Sequence, residues 1–208
     1  MGSILLYEVG LRRFCNSAAR DVHLALRGVH HSYRALELMT VAEYIADYLA
    51  AKGCTHAFGL VGGANSTLFH AIAKRLTIIC VAHEQAAAMA ANGHYQVWGR
   101  IAPVLPTAGA GCVNTFTGVM AAHMDGIPLL VISGNEKSTF FKTPQKRGIG
   151  FQGFNPEKVV GPFVKAVVSA DNPDGAKLAL DGLYRTALEH RQGAAWLDIP
   201  QDIAVMPA

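Results

Sequence analysis

Cysteine is scarce in this sequence, and the few cysteines are too far apart to form a recognisable metal or disulfide framework. Cys15, Cys54, Cys80 and Cys112 include no CxxC pair, whereas zinc sites and disulfide-rich scaffolds place their cysteines close together or at regular intervals. We therefore expect buried, reduced thiols in a protein of the cytoplasm, where disulfides rarely persist.

Charge is also sparse, because only 16% of the 208 residues are charged and the formal net charge is +3. The basic residues do not cluster with aromatic residues, which argues against a nucleic-acid partner. No uninterrupted apolar run approaches the roughly 20 residues that span a bilayer, so no membrane partner is expected. The hydrophobic content of 51% instead fits one well-buried domain, with apolar surface left over for a protein partner.

The sequence divides into an N-terminal extension, residues 1–38, and a domain, residues 39–208. Four arginines recur every seven residues in the extension, with apolar residues between them: Arg13, Arg20, Arg27 and Arg34. This spacing is typical of a loosely amphipathic helix. The extension is a docking arm or an Arg-rich targeting segment, or it is only a solvated extension. A further alternative is that the start codon has been chosen too far upstream, because Met39-Thr40 resembles a natural beginning. No secretory cleavage pattern is evident.

Strands and helices alternate from Thr40 onward. Thr40 and Glu43 form a capping-box pattern that predicts a helix through residue 52. Further helices are predicted from residue 66 and over 84–98, 112–123 and 173–190, and strands over 56–60, 77–81, 101–106, 128–133, 163–169 and 194–199. The polar segment 135–154 is a candidate functional loop. The alternation predicts an α/β fold with a doubly wound parallel sheet, in which ligands bind at the carboxyl ends of the strands.

Three turns follow three of these strands, and the strand-end rule brings them to one edge of the sheet. Two are rich in glycine, residues 59–64 and 107–111, and the third contains Glu84, so we expect a carboxylate between two glycine turns. Glycine permits close backbone approach and positive φ angles. The spacing matches neither the dinucleotide fingerprint nor the P-loop, so each glycine turn alone is better explained by chain geometry than by phosphate binding.

Glu84 opens a helix rich in small residues, including Ala86, Ala87, Ala88, Ala90 and Ala91. An acidic residue in the first turn can be purely structural, because it interacts favourably with the helix dipole. However, this helix has few large side chains to fill a core, and its small residues would let another helix approach closely. In such a tight interface desolvation favours a protonated carboxyl group, which can exchange its proton with a ring nitrogen.

Several short motifs follow one another in a fixed order between residues 39 and 208. They are Phe58-Gly59-x-x-Gly62-Gly63-Ala64, His83-Glu84-Gln85, Thr107-x-Gly109-x-Gly111-x-x-Asn114, Asp125-x-x-Pro128-Leu129-Leu130-x-Ile132-x-Gly134, Phe151-Gln152 and Leu197-Asp198-Ile199-Pro200-Gln201-Asp202. In these motifs the chain resembles the N-terminal pyrimidine-binding domain of the acetolactate synthase group of thiamine-diphosphate enzymes. The resemblance implies the thiamine-diphosphate-binding fold in its pyrimidine-type form.

The resemblance also implies roles for individual residues. Glu84 would be the catalytic glutamate that hydrogen-bonds N1′ of the coenzyme's aminopyrimidine and so promotes loss of the thiazolium C2 proton. Gly63 would flank the reacting centre, and Phe151 and Gln152 would face the substrate, with Gln152 also catalytic unless it is only a surface amide. His83 is better explained by packing at the helix start than by acid–base chemistry. The coenzyme-binding residues implied are Gly62, Gly63, Glu84, Thr107, Gly109 and Asn114.

The chain departs from the acetolactate synthase pattern at several positions. Ala82 stands where an arginine usually precedes the His-Glu pair, and Ala110 and Val61 stand where the group has prolines. The tetrapeptide Gly93-His94-Tyr95-Gln96 replaces the usual Gly-Tyr-Ala-Arg. These departures indicate a diverged member, whose donor and acceptor substrates stay open.

One element of the family is missing from the sequence. The family holds the diphosphate and its magnesium ion with a Gly-Asp-Gly motif followed by an asparagine, and no Gly-Asp-Gly occurs in the 208 residues. A partner subunit would therefore ligate the magnesium. We predict a lyase or transferase that acts on a 2-oxo acid such as pyruvate, as a decarboxylase or carboligase, in which this pyrimidine-binding subunit is inactive alone and joins a separate diphosphate-binding subunit in a heterotetramer. The alternatives are a non-catalytic relic or regulatory partner of a full-length enzyme, and a fragment of a longer chain.

Overall fold

The fold is given by a computed structural model that describes residues 38–143 and 147–208. The prediction for the N-terminal extension therefore lies outside the described residues, apart from Leu38. Six strands are present in this part of the chain: β1 His56–Gly59, β2 Thr77–Cys80, β3 Val104–Leu105, β4 Leu129–Asn135, β5 Ala166–Ser169 and β6 Ala194–Pro200. They form one sheet in the order β2-β1-β3-β4-β6-β5, and every pairing is parallel. The predicted α/β fold is confirmed.

Helices cover both faces of this sheet, and each face has its own hydrophobic core. The helices are α1 Val41–Ala51, α2 Ser66–Ala73, α3 Glu84–Trp98, α4 Ala110–Asn114, α5 Phe116–Asp125, α6 Ser138–Phe141, α7 Pro156–Val160, α8 Pro173–Leu188 and α9 Gln201–Ala204, with a 3₁₀ turn at Gly161–Phe163. One core lies under α1, α2 and α8 and includes Ile45 and Leu180. The other lies under α3 and α5 and includes Ala88 and Trp196. Each large apolar side chain buried in this way contributes about 1.5–3 kcal/mol to folding.

The start of α1 has the predicted capping box. Thr40 Oγ1 accepts a hydrogen bond of 3.3 Å from Glu43 N, and Glu43 Oε2 accepts one of 3.1 Å from Thr40 N. Because the first amide groups of a helix have no partner within it, this pair satisfies two of them. The end of the chain closes the same region, since Val41 N donates to Met206 O at 2.9 Å.

Three predicted elements differ from the observed ones. The strand expected over 163–169 begins only at Ala166, because the 3₁₀ turn Gly161–Phe163 precedes it. The strand expected over 101–106 is only β3, because Pro103 and Pro106 flank it and proline cannot donate to a strand ladder. The helix expected over 112–123 is divided into α4 and α5 at Thr115. There both the backbone N and Oγ1 of Thr115 donate to Cys112 O, at 3.0 and 2.7 Å, so the turn tightens to a 3₁₀-type bond.

The cysteines only partly match their prediction. Cys54 and Cys112 are buried thiols, but Cys80 is exposed because it lies on β2, an edge strand of the sheet. Cys15 lies outside the described residues. Within residues 38–143 and 147–208, no group of three or more His, Cys, Asp or Glu side chains could hold a metal ion. In the same ranges, every helix is too short or too polar to cross a bilayer. The cytoplasmic location stays a prediction.

Helices α3 and α5 pack closely because Gly118 of α5 has no side chain. A Cβ added at Gly118 would lie 2.6 Å from Ala88 Cβ and 2.9 Å from Met89 N. The close approach predicted from the alanine-rich α3 is therefore present, but the approaching helix belongs to the same chain. The small residues on the buried side of α3 are explained by this contact, and only its outer side is left for a partner.

The Gly118→Ala variant is expected to be about 1–3 kcal/mol less stable than the parent, because the new methyl group overlaps the backbone of α3. The matched control is Gly182→Ala in α8, where an added Cβ meets nothing within 4 Å. That variant should gain about 0.5–1 kcal/mol, as alanine normally does in a helix interior. Urea unfolding of both variants measures the difference, and a stabilised Gly118→Ala would contradict the packing described here.

Candidate functional site

Glu84 is buried at the carboxyl edge of the sheet, where α3 begins. The residue is only 6% exposed, and Asn114 Nδ2 donates to Glu84 Oε2 at 2.9 Å. Among the described residues, no hydrogen bond reaches the other oxygen, Oε1. The arrangement fixes one carboxylate oxygen and leaves the second available to a ligand.

His83 and the helix dipole favour the start of α3 at this position. The backbone of His83 is extended, with φ −154° and ψ 135°, and its Nδ1 accepts a hydrogen bond of 3.3 Å from Gln85 N. A carboxylate in the first turn also interacts favourably with the helix dipole. His83 therefore caps the helix, which agrees with the structural role predicted for it.

The glycine turn after β3 closes around the Glu84 carboxylate. A Cβ added at Gly111 would lie 3.0 Å from Glu84 Oε1 and 2.8 Å from Thr107 Cγ2. Gly109, at the start of α4, has φ +64°, a conformation that favours glycine. Cys112 Sγ donates to Thr107 O at 2.8 Å and holds the same turn from inside. Glycine at position 111 leaves the space beside Oε1 clear.

The glycine turn after β1 packs against Thr107. A Cβ added at Gly62 would lie 2.5 Å from Thr107 Oγ1, whereas one added at Gly63 would meet nothing within 4 Å. Buried Asn65 fixes this turn: its Oδ1 accepts from Gly62 N at 2.7 Å, and its Nδ2 donates to Leu105 O at 3.0 Å. Gly63 thus faces open space beside the site. Sequence analysis did not single out Asn65, although a polar residue between a glycine turn and a helix is a signal for such a role.

The strand order corrects one expectation about these turns. Because β1 lies between β2 and β3, the turn at residues 59–64 is central, and Glu84 follows β2 at the edge. The expectation that the carboxylate lies between two glycine turns is therefore wrong in strand order. Instead, Glu84 contacts the turn after β3 through its side chain.

The backbone of Gln152 rests on the turn after β3. A Cβ added at Gly109 would lie 2.3 Å from Gln152 O, so only glycine allows this contact. The side chain of Gln152 is exposed, and Phe151 is 93% exposed. Sequence analysis missed Glu136, whose Oε1 accepts hydrogen bonds from Phe151 N and Gln152 N at 3.2 and 3.1 Å. A polar residue directly after the apolar β4, at the edge where ligands bind, was the available signal.

The structure thus brings most of the predicted site residues together. Contacts link Gly62 to Thr107, Thr107 to Gly111, Gly111 and Asn114 to Glu84, and Gln152 to Gly109. Gly63 and Phe151 are exposed, and none of the recorded side-chain hydrogen bonds of the described residues joins Phe151 or Gln152 to Glu84. The roles assigned to these residues stay predictions.

Comparison with known proteins establishes the family. The sequence profile described as "Thiamine pyrophosphate enzyme, N-terminal TPP binding domain" matches residues 39–153 of the chain. The chain belongs to this thiamine pyrophosphate enzyme family. The resemblance to the acetolactate synthase group, drawn from the motifs, is confirmed by relatives in that group.

This chain matches only part of the length of each relative. It is 32% identical over 173 residues to the acetolactate synthase large subunit of Buchnera aphidicola subsp. Schizaphis graminum, and 31% identical over 173 residues to the acetolactate synthase isozyme 3 large subunit of Escherichia coli K12. Identity to the catabolic acetolactate synthase of Raoultella terrigena is 29% over 168 residues. These matches cover 80–81% of this chain but 29% of each relative. The chain spans less than a third of the length of the curated relatives it matches.

The residues at this edge fit one end of thiamine pyrophosphate, which is also called thiamine diphosphate. A free carboxylate oxygen beside glycine turns suits a flat ring that carries a hydrogen-bonding nitrogen, because a Cβ at Gly111 would occupy the space next to Oε1. The described residues contain no cluster of metal-ligating side chains that would hold a magnesium ion at the diphosphate end. The fit therefore concerns the aminopyrimidine.

Proposed function

We propose that this chain is the pyrimidine-binding subunit of a split, acetolactate-synthase-like enzyme that decarboxylates a 2-oxo acid such as pyruvate or ligates it to a second carbonyl compound. The observation that carries the proposal is Glu84, buried at the start of α3 with Oε2 held by Asn114 and Oε1 open. When bound, the coenzyme supplies the electron sink for decarboxylation. Glu84 would hold and exchange a proton with the pyrimidine end of the coenzyme at Oε1, the oxygen that Asn114 leaves open.

The diphosphate end of the coenzyme needs residues that these 208 do not supply. The three Asp-Gly pairs of the sequence, Asp125-Gly126, Asp174-Gly175 and Asp181-Gly182, all lack the preceding glycine of the Gly-Asp-Gly motif. Magnesium prefers carboxylate oxygens and the oxygens of the phosphates it accompanies. In the proposal a separate diphosphate-binding subunit supplies these ligands, and the two kinds of subunit form a heterotetramer.

The surface of α3, α4 and α5 has the character of a protein interface, which favours a partner subunit beside Glu84. All ion pairs recorded within the described residues lie on α1, α2 and α8 or at their ends. By contrast, Glu84 and Asp125 are the only charged residues (Asp, Glu, Lys, Arg) of α3 to α5. These helices also carry six exposed large apolar residues, which we call the methionine face: Met89, Val97, Trp98, Val113, Met120 and Met124.

In the proposal, the diphosphate-binding subunit binds to the methionine face. Val113, Met120 and Met124 are spaced at helical intervals and so form a stripe along α4 and α5. Exposed apolar patches of this kind mark protein interfaces, and methionine adapts well to a partner's surface. Because Glu84 and Asn114 belong to the same helices, a subunit on this face would reach the open Oε1.

Co-expression tests this function. The full chain is produced with a Gly-Asp-Gly-containing chain of the same genome, and decarboxylation of pyruvate and related 2-oxo acids is measured with and without thiamine diphosphate and magnesium. Activity that requires both chains and the coenzyme supports the proposal. A second chain that is equally active without this one would show a regulatory partner or a relic, and so would overturn it. A reading frame that continues into the diphosphate-binding domain would overturn the split.

Charge on the methionine face is expected to break the assembly. Met120→Glu should weaken association with the diphosphate-binding subunit at least about 10-fold, because an unpaired carboxylate would be buried in the interface. Leu178→Glu is the matched control: Leu178 is 77% exposed, like Met120 at 43%, but lies on α8 among the ion pairs. Calorimetric titration measures both affinities. Equal effects of the two changes would place the interface elsewhere.

A further inference from the structure

Glu136 is a buried carboxylate with no cation beside it in the described part of the chain. It directly follows β4, the residue is 8% exposed, and none of the ion pairs of the described residues includes it. Burial of a carboxylate is costly unless hydrogen bonds compensate for the lost water. Here the compensation comes from two adjacent backbone amides, Phe151 N and Gln152 N, which both donate to Oε1 at 3.2 and 3.1 Å.

The loop that supplies these amides closes around the carboxylate. Ile149 and Gly153 are joined by two backbone hydrogen bonds, of 3.1 and 2.8 Å. Gly150 has φ +62°, and a Cβ added there would lie 2.9 Å from Glu136 Cδ. A Cβ added at Gly153 would lie 2.8 Å from Glu136 Cγ. The two glycines therefore let residues 149–153 wrap the Glu136 side chain at van der Waals distance.

Behind Glu136, a buried polar frame anchors the loop to the sheet. Asn135 Nδ2 donates to Phe154 O at 3.0 Å and to Asp198 Oδ2 at 2.8 Å. Asn135 Oδ1 accepts from Glu136 N at 2.9 Å. Asn135, the last residue of β4, and Asp198, within β6, are fully buried. The loop is thus tied directly to the end of β4 at Phe154, and through Glu136 at Phe151 and Gln152.

In front of Glu136, the same loop rests on the candidate site. Gln152 O packs against Gly109, where a Cβ would lie 2.3 Å away. Gly109 is the N-cap residue of α4, and Asn114 at the end of α4 donates to Glu84. Contacts therefore run without a gap from the sheet, through Glu136 and Gln152, to the helix that holds the carboxylate.

We propose that Glu136 is a positioning residue that fixes the Phe151-Gln152 backbone against Gly109, so that this substrate-facing segment is preformed before a 2-oxo acid binds. The geometric part of the proposal, that Glu136 fixes this backbone, stands on the contacts above. The substrate part, that the fixed segment receives a 2-oxo acid, rests on the proposed function. Exposed Phe151 is explained by the same arrangement, because its amide is held inward while its ring points away from the domain.

Amide hydrogen exchange of the full chain tests the geometric part without any activity. Glu136→Ala is expected to speed exchange at Phe151 and Gln152 about 10- to 100-fold, the range for loss of a hydrogen bond to a charged acceptor. Glu136→Gln keeps an acceptor oxygen and should stay within about threefold of the parent. Glu43→Ala is the matched control, since Glu43 also accepts a backbone amide but lies at the start of α1.

The exchange results separate a positioning role from general stabilisation. Unchanged exchange at these two amides in Glu136→Ala, or acceleration spread equally over the sheet, would overturn the proposal. So would a Glu43→Ala variant with the same local effect on residues 151 and 152. If Glu136→Ala unfolds the chain, Glu136→Leu, which matches the side chain in size but has no acceptor, provides the same comparison.

Kinetics of the assembled enzyme test the substrate part. For Glu136→Ala we expect KM for the 2-oxo acid to rise about 10-fold and kcat to change less than about threefold, because ground-state positioning is lost while Glu84 is intact. Glu136→Gln should restore KM. A fall in kcat at constant KM would contradict a positioning role. If the proposed function is wrong, the parent assembly will show no activity, while Glu136→Ala will still speed amide exchange at Phe151 and Gln152. The two proposals can therefore fail separately.

Discussion

Replacement of Glu84 with glutamine is expected to lower the coenzyme-dependent turnover of the assembled enzyme by about 10²- to 10⁴-fold, the usual contribution of a positioned proton-transfer group. Glutamine has almost the same shape as glutamate, and its carbonyl oxygen can still accept the hydrogen bond from Asn114 Nδ2. However, the amide neither takes up nor releases a proton at neutral pH. The change thus removes the proposed chemistry and leaves the packing at the start of α3.

The control for this experiment is Glu189→Gln, at the exposed end of α8 and on the opposite, amino-terminal edge of the sheet. It removes one carboxylate with the same substitution and is expected to leave kcat unchanged. The steady-state decarboxylation rate with saturating coenzyme is the measurement, and the thermal midpoint of each variant confirms that the chain is folded. A Glu84→Gln assembly that works within about threefold of the parent would remove Glu84 from the mechanism.

Local sequence signals predicted the elements that carry the site. The capping box at Thr40 and Glu43 marked the start of α1, and Glu84 marked the first residue of α3, because both signals depend only on residues within one helical turn. The parallel sheet followed from alternation alone. The two prolines beside β3 were visible in the sequence as well, and they explain why that strand has two residues rather than six.

Contacts between distant segments were not predictable from the sequence. The strand pairing brings Ser133 opposite Asp198, and only this register makes a hydrogen bond between residues so far apart. β4 was predicted as an apolar strand, so its buried polar end, Ser133 and Asn135, was not recognised. The contact of Gln152 with Gly109 likewise depends on the path of a long irregular segment, which no periodicity encodes.

The outer face of α3 illustrates a partial success of sequence analysis. The alanine-rich composition correctly indicated close helix packing, but α5 of the same chain satisfies it through Gly118 and Ala88. The proposed partner surface rests instead on the scarcity of charge, which extends over α4 and α5 as well. Composition indicates that a helix has an apolar surface, whereas only the packing shows which part of that surface is already covered by another helix of the chain.

The second large effect is expected on the pH dependence of the free energy of unfolding, and it comes from Asp198. This residue is fully buried on β6, the strand between β4 and β5. Burial raises the pKa of this carboxyl from its ordinary 3.8 to about 6, against the opposing hydrogen bonds from Ser133, Asn135 and Ser169. The folded chain therefore binds this proton more tightly than the unfolded chain does. Its contribution to the free energy of unfolding is fully present below about pH 4 and is lost as the pH rises through 6, a total of about 3 kcal/mol.

Asp198→Asn is expected to abolish this pH dependence, because asparagine has no proton to lose. Its carbonyl can accept from Asn135 Nδ2, and its amide can donate to Ser133 Oγ, which already accepts from Trp196 Nε1 at 2.8 Å. Relative to the parent, the variant should gain about 3 kcal/mol in unfolding free energy between pH 4 and pH 7. Urea unfolding at several pH values measures both curves, and since the other titrating groups are shared, the difference between the curves isolates Asp198. Parallel curves would mean that the three donors hold the carboxylate as an anion throughout, and that hydrogen bonding, rather than burial, governs its titration.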